Sequence, residues 1–223
     1  INLGQFHLAY QPKVNVRINQ LQGLEALLRW NSPTRGNVSP ADFIPVAEES
    51  GHIIPLGYWV LNEVCLTLKS WQDKGLTLVP VSVNVSARQF QQPDFHKRVA
   101  EVLRRHGVDP SLIEIELTEG LVMEDTDSAQ RELAQLKRIG LRISIDDFGT
   151  GYSCLSYLRR FPIDVLKIDR SFVQEIGGSR DGESIIDAII SLARSLRLET
   201  VAEGVETATQ LHYLLDHGCH VVQ

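Results

Sequence analysis

The feature that most constrains this chain is a strict alternation of two hydrophobic rhythms. Short β-branched runs occur at 8–11, 23–29, 79–85, 112–117, 141–145, 165–168, 199–202 and 220–223. Between them lie segments whose apolar residues recur every three or four positions, such as Leu56, Val60, Val64 and Leu68, a stripe that continues to Trp71. A second apolar face is expected from Ile185, Ile189, Ala193 and Leu196. Strands that alternate with helices must cross over between parallel neighbours, so the pattern predicts βαβ units. About eight such units nearly fill a β/α barrel, which typically needs about 250 residues. The chain has 223, and no Gly-x-Gly-x-x-Gly turn argues for a dinucleotide fold. The fold class expected is therefore α/β, a closed TIM-type (β/α)8 barrel.

Local signals support these boundaries. Ser39-Pro40 reads as an N-cap with a first-turn proline opening a helix through Glu49. Asp127 with Gln130, and Thr207 with Gln210, read as capping boxes. The stretches 31–37 and 176–182 read as loops, short enough to lie within one domain. The 22 basic and 28 acidic residues leave a net charge of -6, which argues against a DNA- or RNA-duplex surface and against a polybasic membrane patch. No run of about 18 apolar residues is present to span a bilayer. Three scattered cysteines, with no C-x-x-C spacing, fit a reducing compartment. The chain opens on Ile1 with no basic-then-apolar leader, so it reads as one domain over 1–223 cut from a longer protein.

The chemistry is written at the strand ends. The run 79–85 carries Asn84, 112–117 carries Glu114 and Glu116, and 141–145 leads into Asp146-Asp147. Farther on, 165–168 holds Lys167 with Asp169 following, and 199–202 leads into Glu203. Barrel enzymes carry their chemistry at the C-terminal ends of the strands. Carboxylates crowded into a partly buried site repel one another and call for cations. An oxygen-only donor set suits Mg2+ or Mn2+ rather than zinc. Adjacent carboxylates such as Asp146 and Asp147 suit a two-ion site for phosphoryl displacement. For any single carboxylate, a helix cap or a solvated loop residue is the plainer reading; five strand ends at once favour a site. His217, Cys219 and His220 cluster, but a zinc site lacks a fourth ligand. No Gly-x-Ser-x-Gly, Gly-Lys-Ser/Thr or His-Glu-x-x-His motif offers another chemistry.

At this point the motifs carry a resemblance. Glu25-Ala26-Leu27, Val83-Asn84-Val85-Ser86-Ala87-Arg88-Gln89-Phe90 and Glu116-Leu117-Thr118-Glu119 resemble, in order, blocks of the EAL family of cyclic di-GMP phosphodiesterases. So do Asp146-Asp147-Phe148-Gly149-Thr150-Gly151-Tyr152-Ser153, Lys167-Ile168-Asp169-Arg170-Ser171-Phe172 and Glu203-Gly204-Val205-Glu206. Cys154, Gly120 and Val85 depart from the usual serine, serine and leucine, and none of these removes a charged motif residue.

The resemblance implies a modified barrel whose first strand is antiparallel, and hydrolysis of cyclic di-GMP to linear pGpG with two Mg2+ or Mn2+ ions, Ca2+ being inhibitory. By similarity, Glu25, Asn84, Glu116 and Asp146 would hold one ion, and Asp146, Asp147 and Glu203 the other. Lys167 and Glu203 would act on the attacking water and phosphate. Gln11, Arg29 and Asp169 would contact the substrate, Arg29 through its donor fork. Glu119 would hold the 146–152 loop with Gly149, Thr150 and Gly151, and Glu206 and Gln223 would support the site. The same likeness implies a homodimer through the barrel and a cytoplasmic domain of a bacterial signalling protein, membrane-bound only through domains outside this chain. It also implies a C-terminal glycine-aromatic segment and last helix beyond Gln223. The competing expectation, from a different class, is a receptor module that binds cyclic di-GMP without cutting it.

Overall fold

The computed structural model describes residues 4–150, 155–178 and 180–223. The strands are β1 (Phe6–Asn15), β2 (Gln20–Ser32), β3 (Gly36–Val38), β4 (Val81–Asn84), β5 (Ile113–Thr118), β6 (Arg142–Phe148), β7 (Val165–Ile168), β8 (Glu199–Ala202) and β9 (Val221–Val222). The helices are α1 (Pro40–Glu49), α2 (Ile53–Asp73), α3 (Ala87–Phe90), α4 (Phe95–His106), α5 (Glu119–Glu124), α6 (Thr126–Ile139), α7 (Leu155–Leu158), α8 (Arg170–Gln174), α9 (Arg180–Leu196) and α10 (Ala208–His217).

Strand pairing closes the ring. From β2 through β4, β5, β6, β7, β8 to β9 each neighbour is parallel, and β1 joins the two ends, antiparallel to both β2 and β9. The antiparallel first strand is thus present. β3 folds back on the end of β2 as a hairpin, so the stretch expected as a loop at 31–37 is largely paired. Its Gly36, at φ 68, supplies the left-handed residue that tight reversals need.

Period-two alternation sorts the barrel into two cores. Val81, Val83, Ile113, Ile115, Leu117, Ile143, Ile145, Leu166 and Ile168 face outward and join the helices in one continuous apolar cluster. Their alternates Ser82, Glu114, Glu116, Ser144 and Lys167 face inward, and all are buried. The usual β/α barrel fills its interior with branched aliphatics; here, among the described residues, Val165, Val201 and Val221 form a small separate apolar cluster beside these polar side chains. Helix α2 lays Leu56, Val60, Val64 and Leu68 against the strands as expected, each fully buried side chain contributing roughly 1.5–3 kcal/mol.

The caps explain where helices begin and end. Ser39 Oγ accepts from Ala41 N, and Thr207 with Gln210 forms the reciprocal capping box. Asp127 does not cap: the N-cap of α6 lies two residues earlier, at Asp125, which takes the N–H of Ser128. Ile185 is exposed, because α9 turns Ile186, Ile189, Ile190 and Ala193 inward instead, the register that spans its apolar stripe at 3.6 residues per turn.

Candidate active site

The inward alternates converge on one ammonium. Lys167, 1% exposed on β7, has Glu203 Oε1 at 2.5 Å, Glu116 Oε1 and Asp146 Oδ2 at 3.2 Å, and Glu25 Oε2 at 3.5 Å. These side chains come from five different strand ends, β2, β5, β6, β7 and the exit of β8. Burial alone would lower the pKa of Lys167, but Glu116, Asp146, Glu25 and Glu203 together outweigh it and hold the ammonium well above its ordinary value.

The carboxylates respond unequally. Burial raises the carboxyl of Glu25, yet Lys167, Gln223 and Asn84 more than reverse this and keep it ionised. Gln223 Nε2 donates to Glu25 Oε2 at 2.5 Å and Asn84 Nδ2 to Oε1 at 2.7 Å. Glu116 is different. Burial pushes it up to about 7, Glu25 and Asp146 add to this, and two lysines only partly offset it. Its Oε2 is buried and has no hydrogen-bond partner among the described residues. Glu203 is raised by burial and by Asp146, against the pull of Lys167.

Four carboxylates meet the ammonium of Lys167 and only Glu116 has a second, that of Lys13, so the ring is short of positive charge. Among the described residues no three Asp, Glu, His or Cys side chains are spaced as a ready cage for an ion, and the oxygens surround Lys167. The donor set nonetheless fits hard divalent cations: the donors are oxygens, and an unpartnered buried carboxylate oxygen stands among them.

The chain turns sharply after Asp146. Asp147 takes φ 53, a conformation unusual for a residue with a side chain, and thereby sends adjacent carboxylates different ways. Asp146 meets Lys167, while Asp147 meets Asp169 and is raised by burial, by Asp146 and by Asp169. Thr150 N and Oγ1 both donate to Asp147 O, closing the turn. Gly149, at φ 95, lies so close to Phe172 and Ile189 that an added Cβ would stand 3.1 and 3.2 Å away. Its N–H donates to Glu119 Oε2 at 3.0 Å, which ties α5 to the turn. Gly151 lies outside the described residues.

The expected substrate residues border this centre. Gln11 lines a cavity of about 270 Å³ with Glu25, Asp146, Lys167 and Glu203. Arg29 lies four residues beyond Glu25 on β2, on the same face, and lines an adjoining cavity of about 290 Å³ with Asn84. Asp169 is also the N-cap of α8, accepting from Ser171 N and from its hydroxyl. Glu206 is exposed at the entry to α10, where its N–H is held by Gln210 Oε1 at 2.8 Å.

A family model of the EAL domain matches residues 1–223. The chain belongs to the EAL domain family. It is 44% identical over 219 residues to the bifunctional diguanylate cyclase/cyclic di-GMP phosphodiesterase MucR of Pseudomonas aeruginosa, covering 98% of this chain and 32% of that protein. It is 42% identical over 214 residues to the cyclic di-GMP phosphodiesterase PdeR of Escherichia coli, covering 96% and 32%. The solved PaMucR phosphodiesterase, in complex with c-di-GMP, superposes with a TM-score of 0.95 at 44% identity, over 98% of this chain and 89% of that one. The chain thus spans about a third of the length of these curated relatives. No helix among the described residues is long and apolar enough to cross a membrane.

Two charged residues of this EAL domain escaped the strand-end reasoning. Arg170 lines the cavity beside Gly204, whose φ of 67 and absent Cβ leave room for it; a Cβ there would come within 2.8 Å of Arg170 Cβ. Lys13 is buried on β1 and donates to Glu116 Oε1 at 2.7 Å. The signal for Lys13 was its spacing of two from Gln11, which puts both on the inner face.

Proposed function

We propose that this EAL domain hydrolyses one phosphodiester bond of cyclic di-GMP to give linear pGpG, using two Mg2+ or Mn2+ ions. The observation that carries the reading is the surplus of carboxylate: Glu25, Glu116, Asp146 and Glu203 crowd around Lys167 with only Lys13 added, at Glu116, and Glu116 Oε2 lacks a partner among the described residues. In this reading Glu25, Asn84, Glu116 and Asp146 ligate one ion, and Asp146, Asp147 and Glu203 the other. Such ions, when bound, supply the charge that acidifies a water and offsets the phosphate oxygens.

The chain's own groups do the rest. Glu203, held closer to neutrality by burial and Asp146, takes a proton from the attacking water, a task suited to a carboxylate of raised pKa. The water oxygen forms the new bond to phosphorus, the bond to the ribose 3′ oxygen breaks, and that oxygen takes up a proton. Lys167, kept charged by its carboxylate ring, faces the phosphate and offsets its charge. Arg29 grips a phosphate through two parallel donors, while Gln11 and Asp169 border the nucleotide. The domain acts as a homodimer paired through the barrel, which sedimentation at assay concentration tests.

The decisive experiment incubates purified protein with cyclic di-GMP and Mg2+ or Mn2+, with and without EDTA, and separates the nucleotides. Conversion to pGpG that EDTA abolishes is expected. Nucleotide that is bound yet remains uncut with either ion overturns the reading in favour of a receptor module.

A further inference from the structure

Beneath the mouth, Lys13 is 4% exposed and none of the roles above uses it. Its ammonium has three protons and three close acceptors: Ser82 Oγ at 2.5 Å, Glu116 Oε1 at 2.7 Å and Glu114 Oε1 at 2.9 Å. With every donor engaged, the group has one orientation. Its far side is itself fixed, since Ser82 Oγ donates to Glu114 Oε1 at 2.7 Å and Arg142 Nε to Glu114 Oε2 at 3.2 Å. Gly23 stands opposite it in the β1–β2 register, where a Cβ would press on Pro80 O at 3.1 Å and meet Lys13 Cδ in ordinary contact at 3.8 Å.

On the near side, Lys13 and Lys167 both approach the same oxygen of Glu116, Oε1, at 2.7 and 3.2 Å. Neither takes Oε2, which is buried and unpartnered among the described residues. We infer that Lys13 is a positioning residue: it pins Glu116 by one oxygen so that the other is left to a divalent cation. The inference rests on the two-ion reading of the site. The plainer account makes Lys13 only a counterion for Glu114, and the two accounts differ in what happens to cation binding. Groups that orient a metal ligand typically change affinity about 10–100-fold when removed, whereas deleting a mere counterion pair of zero net charge leaves affinity unchanged.

The test is Lys13→Met combined with Glu114→Gln, which removes one charge of each sign. The readout is Mn2+ binding to the purified domain by calorimetry, without nucleotide, with thermal melting to confirm folding. About tenfold weaker Mn2+ binding is expected. Equal or tighter binding overturns the positioning role while the reading of the site stands; an unaltered domain that takes up no Mn2+ overturns both. Should the double variant fail to fold, Lys13→Met alone is measured the same way. There the unmatched Glu114 charge by itself favours cations, so weaker binding is stronger support, and equal or tighter binding again overturns the proposal.

Discussion

Glu116→Gln should make the cation-free domain more stable, and more so as pH rises. The folded chain holds the Glu116 proton to about 7, against an ordinary value of 4.5. Between those values the folded state binds more protons than the unfolded one, so stability falls as pH increases, and the full penalty is reached above the folded value. At 1.36 kcal/mol per pH unit the penalty is about 3 kcal/mol, most of which develops between about pH 5 and about pH 8. Glutamine keeps the shape and one oxygen for Lys13 and Lys167 but never ionises, so it escapes this penalty. The assay is urea denaturation in EDTA, followed by tryptophan fluorescence, for both proteins at both pH values. The stability difference should grow in favour of the variant by about 2–3 kcal/mol, about 1 M in midpoint for an m-value of about 2–3 kcal/mol/M. A difference independent of pH, or one that shrinks, refutes the reasoning. Added Mn2+ should reverse the order, because only the carboxylate gains a cation.

Three further outcomes are expected. Glu25→Ala should cut hydrolysis at least about 100-fold with little change in thermal melting, since the residue lies at the mouth and outside the apolar cluster; normal turnover would reject its role. Glu119→Ala deprives Gly149 N–H of its acceptor and should lower both the rate and Mn2+ affinity, the latter about tenfold. Unchanged values of both, in a folded variant, would count against the tie between α5 and the turn. Ca2+ as the sole divalent ion should support little hydrolysis, because it prefers oxygen contacts of about 2.3–2.6 Å over the shorter bonds of Mg2+; brisk turnover with Ca2+ would contradict the compact two-ion arrangement.

Much of the barrel was legible because the strands speak in period two. The same alternation that marked 112–117 as a strand also assigned Glu114 and Glu116 to one face, and both are inward and buried. Less was legible where register depends on contacts distant in sequence. Nothing local distinguishes Ile185 from Ile186; the sheet beneath α9 selects the second. Asp127 looked like a cap by spacing, but the N–H of Ser128 falls to Asp125. Spacing puts Lys13 on the face of Gln11, but its tie to Glu116 was not legible because its partners Ser82, Glu114 and Glu116 lie 69 to 103 residues away. The resemblance supplied roles for Arg29 and Gln11 that spacing could not, while the cap made by Asp169 is a purely local fact.

The reversal of β1 has a mechanical corollary. In an all-parallel cylinder the polypeptide would come in at the floor, a strand's length from the loops that hold the chemistry. Here Phe6 pairs with Trp30 and His7 with Arg29, so the backbone enters at the rim and descends past Gln11, opposite Glu25. Five residues of extended chain, about 17 Å, separate that entrance from Gln11. A module fused ahead of Phe6 would therefore have a lever seated on the lip of the carboxylate-lined cavity, and a tug or twist there would reach Gln11 and Glu25 without crossing the core.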